Sequence, residues 1–217
     1  MKTDNQLQQD VLAELRWEPS INAARIGAQV TEGIVTLSGK VGSYSEKCEA
    51  EQAAQRVAGV RGLAVDIDVA LAGSALRSDA DIAHAAETVL QWTNYLPRDS
   101  VKVLVEHGWV TLSGIVDWDY QRQAAARAVR HLLGVIGVSD QIAIGEKVQL
   151  SAIKEEIEAA LDRRARADAR DIQVEVRGAE VVLSGTVRSW ADRELARHTA
   201  WGSRGVRTVV DQMAVAF

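Results

Sequence analysis

The chain contains an internal repeat that occurs three times at nearly constant spacing. The segment Val35–Gly39, with sequence VTLSG, reappears at Val110–Gly114 and, as VVLSG, at Val181–Gly185, with offsets of 75 and 71 residues. The same offsets align further positions without a gap, among them Leu15 with Leu90 and Leu161, and Ala50 with Ala125 and Ala196. A repeat of this extent predicts three copies of one folding unit, here called copies 1, 2 and 3.

Each copy shows the same succession of hydrophobic periods. In copy 1 the spacing of Leu7, Val11 and Leu15 predicts an amphipathic helix, and apolar and polar residues then alternate from Ile26 to Val30. A tight turn, a second strand, an alanine-rich helix and a third strand follow. We therefore predict an α+β chain of three tandem αββαβ domains, each a three-stranded mixed sheet with two helices on one face. The predicted boundaries are 1–71 for domain 1, 72–78 for a linker, 79–146 for domain 2 and 147–217 for domain 3.

Capping residues mark the start of the second helix in each copy. Ser43 and Ser189 are each followed three positions later by an acidic residue, which is the arrangement of a capping box. In copy 2 the sequence offers Asp117 or Asp119 for the same role.

Two glycines are common to the three copies. One ends the strand segment that the three copies share, and the other follows the second helix, where it predicts a C-terminal cap. These structural repeat residues are Gly39, Gly59, Gly114, Gly134, Gly185 and Gly205.

Charge and targeting signals limit the possible partners. The net charge is -5, and the third copy alone is slightly basic, which argues against nucleic acid as a partner. No apolar stretch approaches the roughly 20 residues of a transmembrane helix. The N-terminus has no features of a signal peptide, so we expect a cytoplasmic location for the chain as given, and a periplasmic one only if an export signal was removed.

The chemistry shared by the copies does not predict an enzyme. The only polar side chain common to all three is the serine Ser38, Ser113 or Ser184, and no base recurs at a matching position. The four histidines occupy four different positions of the repeat, without a zinc-ligand spacing. We therefore expect no catalytic residues, no metal site and no cofactor.

Aromatic residues near the start of the second helix form the first candidate site. Tyr44, Trp118 and Trp190 occupy this place in copies 1, 2 and 3. They could act as hydrophobic staples against the first helical turn. Alternatively, they could gather at one end of each unit and contact a membrane interface or a protein partner. Trp109 in the hairpin and Trp201 on the second helix of copy 3 are further candidates for such contacts.

An arginine cluster in copy 3 forms the second candidate site. It follows the first helix of that copy and comprises Arg163, Arg164, Arg166 and Arg170. Arginines at a helix C-terminus interact favourably with the helix dipole. The alternative is a patch that binds anionic lipid headgroups, where each charge contributes about 1 kcal/mol.

The repeated string resembles the BON domain (bacterial OsmY and nodulation). The match is carried by Gly33–Val41, by Gly108–Val116 and by the later Gly-Val pairs, which follow an alanine-rich helix. The resemblance implies an αββαβ fold, an association with osmotic or envelope stress and contact with phospholipid surfaces. Our interpretation is a non-enzymatic interaction protein that touches anionic phospholipid weakly. The alternative is a small-ligand or monovalent-cation (potassium) sensor with a site between domains.

Overall fold

The computed structural model describes residues 2–145, 157–160, 172–203 and 206–215. The helices are α1 (Asp4–Trp17), α2 (Tyr44–Arg56), α3 (Asp79–Trp92), α4 (Asp119–Arg130) and α5 (Trp190–Trp201), and residues 157–160 are also helical. The strands are β1 (Ile26–Thr31), β2 (Ile34–Val41), β3 (Gly62–Val69), β4 (Val101–Glu106), β5 (Trp109–Val116), β6 (Gly137–Ile144), β7 (Ile172–Arg177), β8 (Glu180–Val187) and β9 (Thr208–Val215).

Each copy has its own three-stranded sheet with the same topology. The orders are β1-β2-β3, β4-β5-β6 and β7-β8-β9, so the second strand of each copy is central. The first strand pairs with it antiparallel and the third pairs with it parallel. A parallel pair needs a crossover connection, which the second helix provides. The predicted α+β fold, with three units and mixed sheets, is confirmed.

The core of each copy lies between its sheet and its helices. In copy 1 the alternating residues Val35, Leu37 and Val41 of β2 are buried, as are Leu7 and Leu15 of α1. The equivalent strand residues of copies 2 and 3 are buried as well. The periodicity therefore reports one buried sheet face in each copy, covered by helices.

The glycine that ends the conserved strand segment is required by a close backbone approach. Gly39 has φ +142° and Gly114 has φ +139°, a region that side-chain-bearing residues rarely adopt. A Cβ atom on Gly39 would lie 2.1 Å from the Arg25 carbonyl oxygen, and one on Gly114 would lie 2.0 Å from the Ser100 carbonyl oxygen. The backbone just before the first strand therefore lies too close to this glycine for a side chain to fit at its position.

The capping residues predicted for copies 1 and 3 are confirmed. The Ser43 hydroxyl accepts a hydrogen bond from the Glu46 backbone N–H at 3.2 Å. In the same way, the Ser189 hydroxyl accepts from the Asp192 N–H at 3.1 Å. These bonds satisfy N–H groups that have no partner within the helix.

The prediction for copy 2 is wrong, because neither aspartate caps α4. The Gln121 side chain accepts from the backbone N–H groups of Asp117 (3.0 Å) and Trp118 (3.1 Å). Asp119 lies inside the first helical turn, and its carboxylate is paired with Arg122. That carboxylate is therefore committed to the ion pair instead of the helix terminus.

The predicted C-terminal caps Gly59 and Gly134 are also displaced. The helix α2 ends at Arg56, and its cap residue is the extended Val57. Gly59 (φ +104°) and Gly134 (φ +89°) lie in the turn between the helix and the third strand. They supply left-handed backbone to this turn, whereas Gly205 lies outside the described residues.

Candidate functional site

The serine common to the copies has no catalytic surroundings. It lies on the outer side of each sheet, and its neighbours across the strands are small or polar: Gly27 and Asp66 beside Ser38, Lys102 and Gln141 beside Ser113, and Gln173 and Gln212 beside Ser184. None of these neighbours is an imidazole that could act as a base. Within the described ranges, no group of three or more His, Cys, Asp or Glu residues could hold a metal ion.

Trp190 connects copy 3 to copy 1. It is the first residue of α5, and its indole Nε1–H donates a hydrogen bond to the Val60 carbonyl of copy 1 at 2.6 Å. The ring packs against the core of copy 1, and the Arg193 guanidinium lies 4.9 Å from the ring centre. This predicted contact residue therefore faces a neighbouring copy.

Tyr44 makes the equivalent contact from copy 1 to copy 2. It is the first residue of α2, packs against the core of copy 2 and lies beside the backbone of Val138. Burial, together with the neighbouring Cys48, raises the pKa of Tyr44 to about 12. Arg130, at the end of α4, lies beside Cys48, and burial raises the pKa of the Cys48 thiol.

The boundary between copies 2 and 3 uses a buried ion pair. Asp119 occupies the repeat position of Tyr44 and is 3% exposed. Its carboxylate lies 2.5 Å from the Arg122 guanidinium, whose carbon is 4.8 Å from the centre of the Trp201 ring. A cavity of about 10 Å³ lies here, lined by residues of both copies, including Asp119, Trp118 and Trp201.

These three boundaries join the copies into a closed ring. In each, the first turns of one second helix face the end of the second helix of the next copy, in the order 1 to 2, 2 to 3 and 3 to 1. Such a head-to-tail interface, repeated by rotation, closes when the rotation returns to the start.

Two more of the predicted aromatic contact residues, Trp109 and Trp118, lie in copy 2. Trp109 is 47% exposed on the outer sheet face of copy 2, where its Nε1–H donates to the Ser139 hydroxyl at 2.9 Å. Trp118 is partly buried, with its ring centre 6.3 Å from that of Tyr120. The arginine cluster lies outside the described residues, and it comprises Arg163, Arg164, Arg166 and Arg170.

Two exposed tryptophans were not selected from the sequence. Trp17 at the end of α1 is 85% exposed, and Trp92 at the end of α3 is 81% exposed. They occupy the same repeat position, 75 residues apart. Their matching positions were the signal that could have identified them.

The chain is thus a tandem-domain protein with aromatic side chains at the boundaries between copies and others exposed on its surface. Three segments, residues 3–70, 78–146 and 149–216, match the BON domain. The chain belongs to the BON domain family, with three copies of the domain. In the described part of the chain, no helix is both long and apolar enough to span a membrane.

Among similar proteins is the osmotically-inducible protein Y of Escherichia coli (strain K12). It is 28% identical over 172 residues, which cover 76% of this chain and 85% of that protein. Two solved structures of CdsD, a structural protein of the type III secretion system of Chlamydia trachomatis, were also matched. They are 13% and 15% identical and cover 96% and 100% of this chain, and 91% and 100% of the chains in those structures, the second of which is the C-terminal domain of CdsD. Their TM-scores of 0.27 are too low to inform fold or function.

Proposed function

We propose that this chain is a non-enzymatic binding protein of the osmotic-stress response, and that it contacts anionic phospholipid surfaces. The osmotically-inducible relative supports the physiological setting. The positions common to the copies support the absence of catalysis, because they are core and turn residues such as Leu37 and Gly39. Activity then depends on surfaces that differ from copy to copy.

The observation that carries the membrane contact is the pair of exposed tryptophans. An indole ring combines a large apolar surface with one hydrogen-bond donor, and tryptophan is accordingly enriched at membrane–water interfaces. Trp17 and Trp92 are both exposed and occupy equivalent positions of copies 1 and 2, so we propose that both contact the lipid surface. In the sequence the equivalent position of copy 3 is Arg163, which begins the arginine cluster.

We expect this contact to be weak and sensitive to salt. The whole chain carries a net charge of -5, so an anionic surface repels most of it, and screening weakens the attraction of the arginine cluster. Sedimentation with phosphatidylglycerol vesicles at low and high salt measures the contact, and phosphatidylcholine vesicles serve as the uncharged reference. Failure of the chain to pellet at low salt would reject the lipid function.

Variants then test which residues make the contact. The double change Trp17→Ala and Trp92→Ala should reduce pelleting, as should replacement of Arg163, Arg164 and Arg166 by Gln. Trp109→Ala removes an exposed ring from another face and should leave pelleting unchanged. Wild-type binding by either multiple variant would remove that set of residues from the site.

A cation sensor is the second candidate function, and the cavity between copies 2 and 3 favours it. Its volume of about 10 Å³ is on the scale of one water molecule or one small ion. However, the adjacent Asp119 carboxylate is already paired with Arg122, which reduces the negative charge available to a cation. A melting-temperature rise in potassium beyond that in sodium would support the sensor, because a ligand of the native state stabilises it.

A further inference from the structure

A large cleft opens in copy 2 between α3 and the edge strand β4. Its volume is about 920 Å³, which is within the range of about 300–1,000 Å³ for ligand sites. Its lining includes Ala83, Glu87 and Trp92 of α3, Arg98 of the following loop and Val103 of β4. Trp92 also belongs to the proposed lipid contact, whereas Ala83, Glu87, Arg98 and Val103 take no part in it.

Copy 1 shows how the same space is bridged elsewhere in the chain. There the Gln8 side-chain amide donates a hydrogen bond to the Ala28 carbonyl of the edge strand at 2.7 Å, and Ala28 is 5% exposed. The repeat offset of 75 places Ala83 at the position of Gln8 and Val103 at that of Ala28. A methyl group replaces the bridging amide, so Ala83 cannot make the equivalent hydrogen bond to the Val103 carbonyl, although α3 still packs on β4.

A second exchange widens the opening. Leu12 packs against the core of copy 1, whereas copy 2 has Glu87 at that repeat position, and Glu87 is exposed. The valines Val101 and Val103 of β4 are accordingly only partly buried. The cleft therefore reaches apolar side chains at the margin of the copy 2 core.

The backbone of β4 presents hydrogen-bonding groups to this cleft. β4 is an edge strand, and in an antiparallel pair only alternate residues direct their N–H and C=O groups at the partner strand. The Ser100 carbonyl accepts from Ile115 of β5, so the residues in register with Ser100 face β5. The N–H and C=O groups of Val101, Val103 and Val105 consequently point away from the sheet.

We propose that this cleft binds an extended polypeptide segment, which pairs with β4 as a fourth strand and inserts an apolar side chain between β4 and α3. Strand addition obtains affinity from the main chain and specificity from pockets for alternate side chains. β4 provides the main-chain groups over six residues, and the cleft beside it provides the pocket. Glu87 and Arg98 place opposite charges along the cleft, where polar groups of the segment can pair with them.

The substitution Ala83→Gln tests the proposal by restoring the bridge of copy 1. Peptides are selected from a random-sequence display library on the full chain, and the affinity of the synthetic peptides is then measured by fluorescence anisotropy. Ala83→Gln should weaken binding at least about tenfold, because it fills the pocket and occupies the Val103 carbonyl. Ala85→Gln is the matched control, since Ala85 is exposed on the same helix outside the cleft, and it should bind as wild type.

Hydrogen exchange identifies the mode of binding. A bound peptide should protect the amides of Val101, Val103 and Val105 and leave those of β1 unchanged. Val103→Pro is a second variant, which removes one outward N–H and is tolerated on an edge strand; it should also abolish the protection. The proposal is overturned if no selected peptide binds, if Ala83→Gln and Val103→Pro both bind normally, or if bound peptides leave β4 unprotected. If no peptide binds, but the fluorescent probe anilinonaphthalene sulfonate binds the wild-type chain and not Ala83→Gln, the proposal is overturned and the cleft is a small-ligand pocket.

Discussion

Trp190→Ala is expected to release copy 3 from copy 1. The Trp190 indole hydrogen-bonds copy 1, and its ring packs against the core of that copy. The two copies are far apart in the sequence, so their contact depends on the folded ring alone. Loss of the side chain should therefore open this boundary before it unfolds either copy.

The magnitude follows from burial and hydrogen bonding. Truncation of a fully buried Phe or Trp to Ala costs about 3–5 kcal/mol, and we expect about 2 kcal/mol for the partly buried Trp190. The hydrogen bond to Val60 adds about 1 kcal/mol. Trp190→Ala should thus weaken the boundary by about 3 kcal/mol in total, whereas Trp190→Phe keeps most of the packing and should lose about 1 kcal/mol.

Native-state hydrogen exchange, resolved by segment, measures the effect directly. Opening free energies report local stability, so those of α2 and α5 should fall while those of the copy 2 sheet stay constant. Small-angle scattering should show a larger radius of gyration for the opened chain. Trp109→Ala is the matched control, because that indole bonds Ser139 within its own copy. Unchanged exchange in α2 and α5 of Trp190→Ala would refute the ring closure.

Two further predictions concern the copy boundaries and the shared glycines. Because the Tyr44 pKa is raised from 10 to about 12, its contribution to stability is complete below pH 10 and is lost as the pH rises toward 12. Tyr44→Phe should remove this loss of stability at alkaline pH, as measured by urea unfolding at a series of pH values. An unchanged loss in the variant would contradict the assignment to Tyr44. Gly114→Ala places a Cβ atom 2.0 Å from the Ser100 carbonyl oxygen and should destabilise copy 2 by about 3 kcal/mol or more, as measured by thermal unfolding. Gly73→Ala is the control, because a Cβ atom there meets no atom within 4 Å and the change should be nearly neutral. Similar losses of stability for both variants would contradict the strain argument.

The fold was predictable because local and global signals agree in every copy. The spacing of Leu7, Val11 and Leu15 and the alternation through β2 each mark one buried face, and the repeat gives three independent readings of the same pattern. The helix caps at Ser43 and Ser189 were predictable for the same reason. The cap of α4 was not, because Gln121 reaches back from within the helix to perform the task expected of an aspartate.

The contacts between copies were beyond the sequence pattern. Tyr44 and Trp190 share a position, but a neighbouring copy is brought against them only by the closed ring. Copy 2 has Asp119 at that position, where it pairs with Arg122. A search for aromatic residues therefore does not identify this position as a boundary position in copy 2. The cleft beside β4 was accessible in principle, since comparing Ala83 with Gln8 across the repeat shows the missing bridge.

A closed ring of this geometry accommodates three copies and no other number. Every unit donates one helix start and receives one, so a chain of three leaves no docking position unused. Removal of one unit would leave one helix start and one helix end without their neighbouring copy, and apolar surface would be exposed at both places. A fourth unit could enter only by changing the rotation at every boundary. Duplication or loss of a single unit is therefore far more disruptive here than in an open linear array, where an added unit merely lengthens the stack.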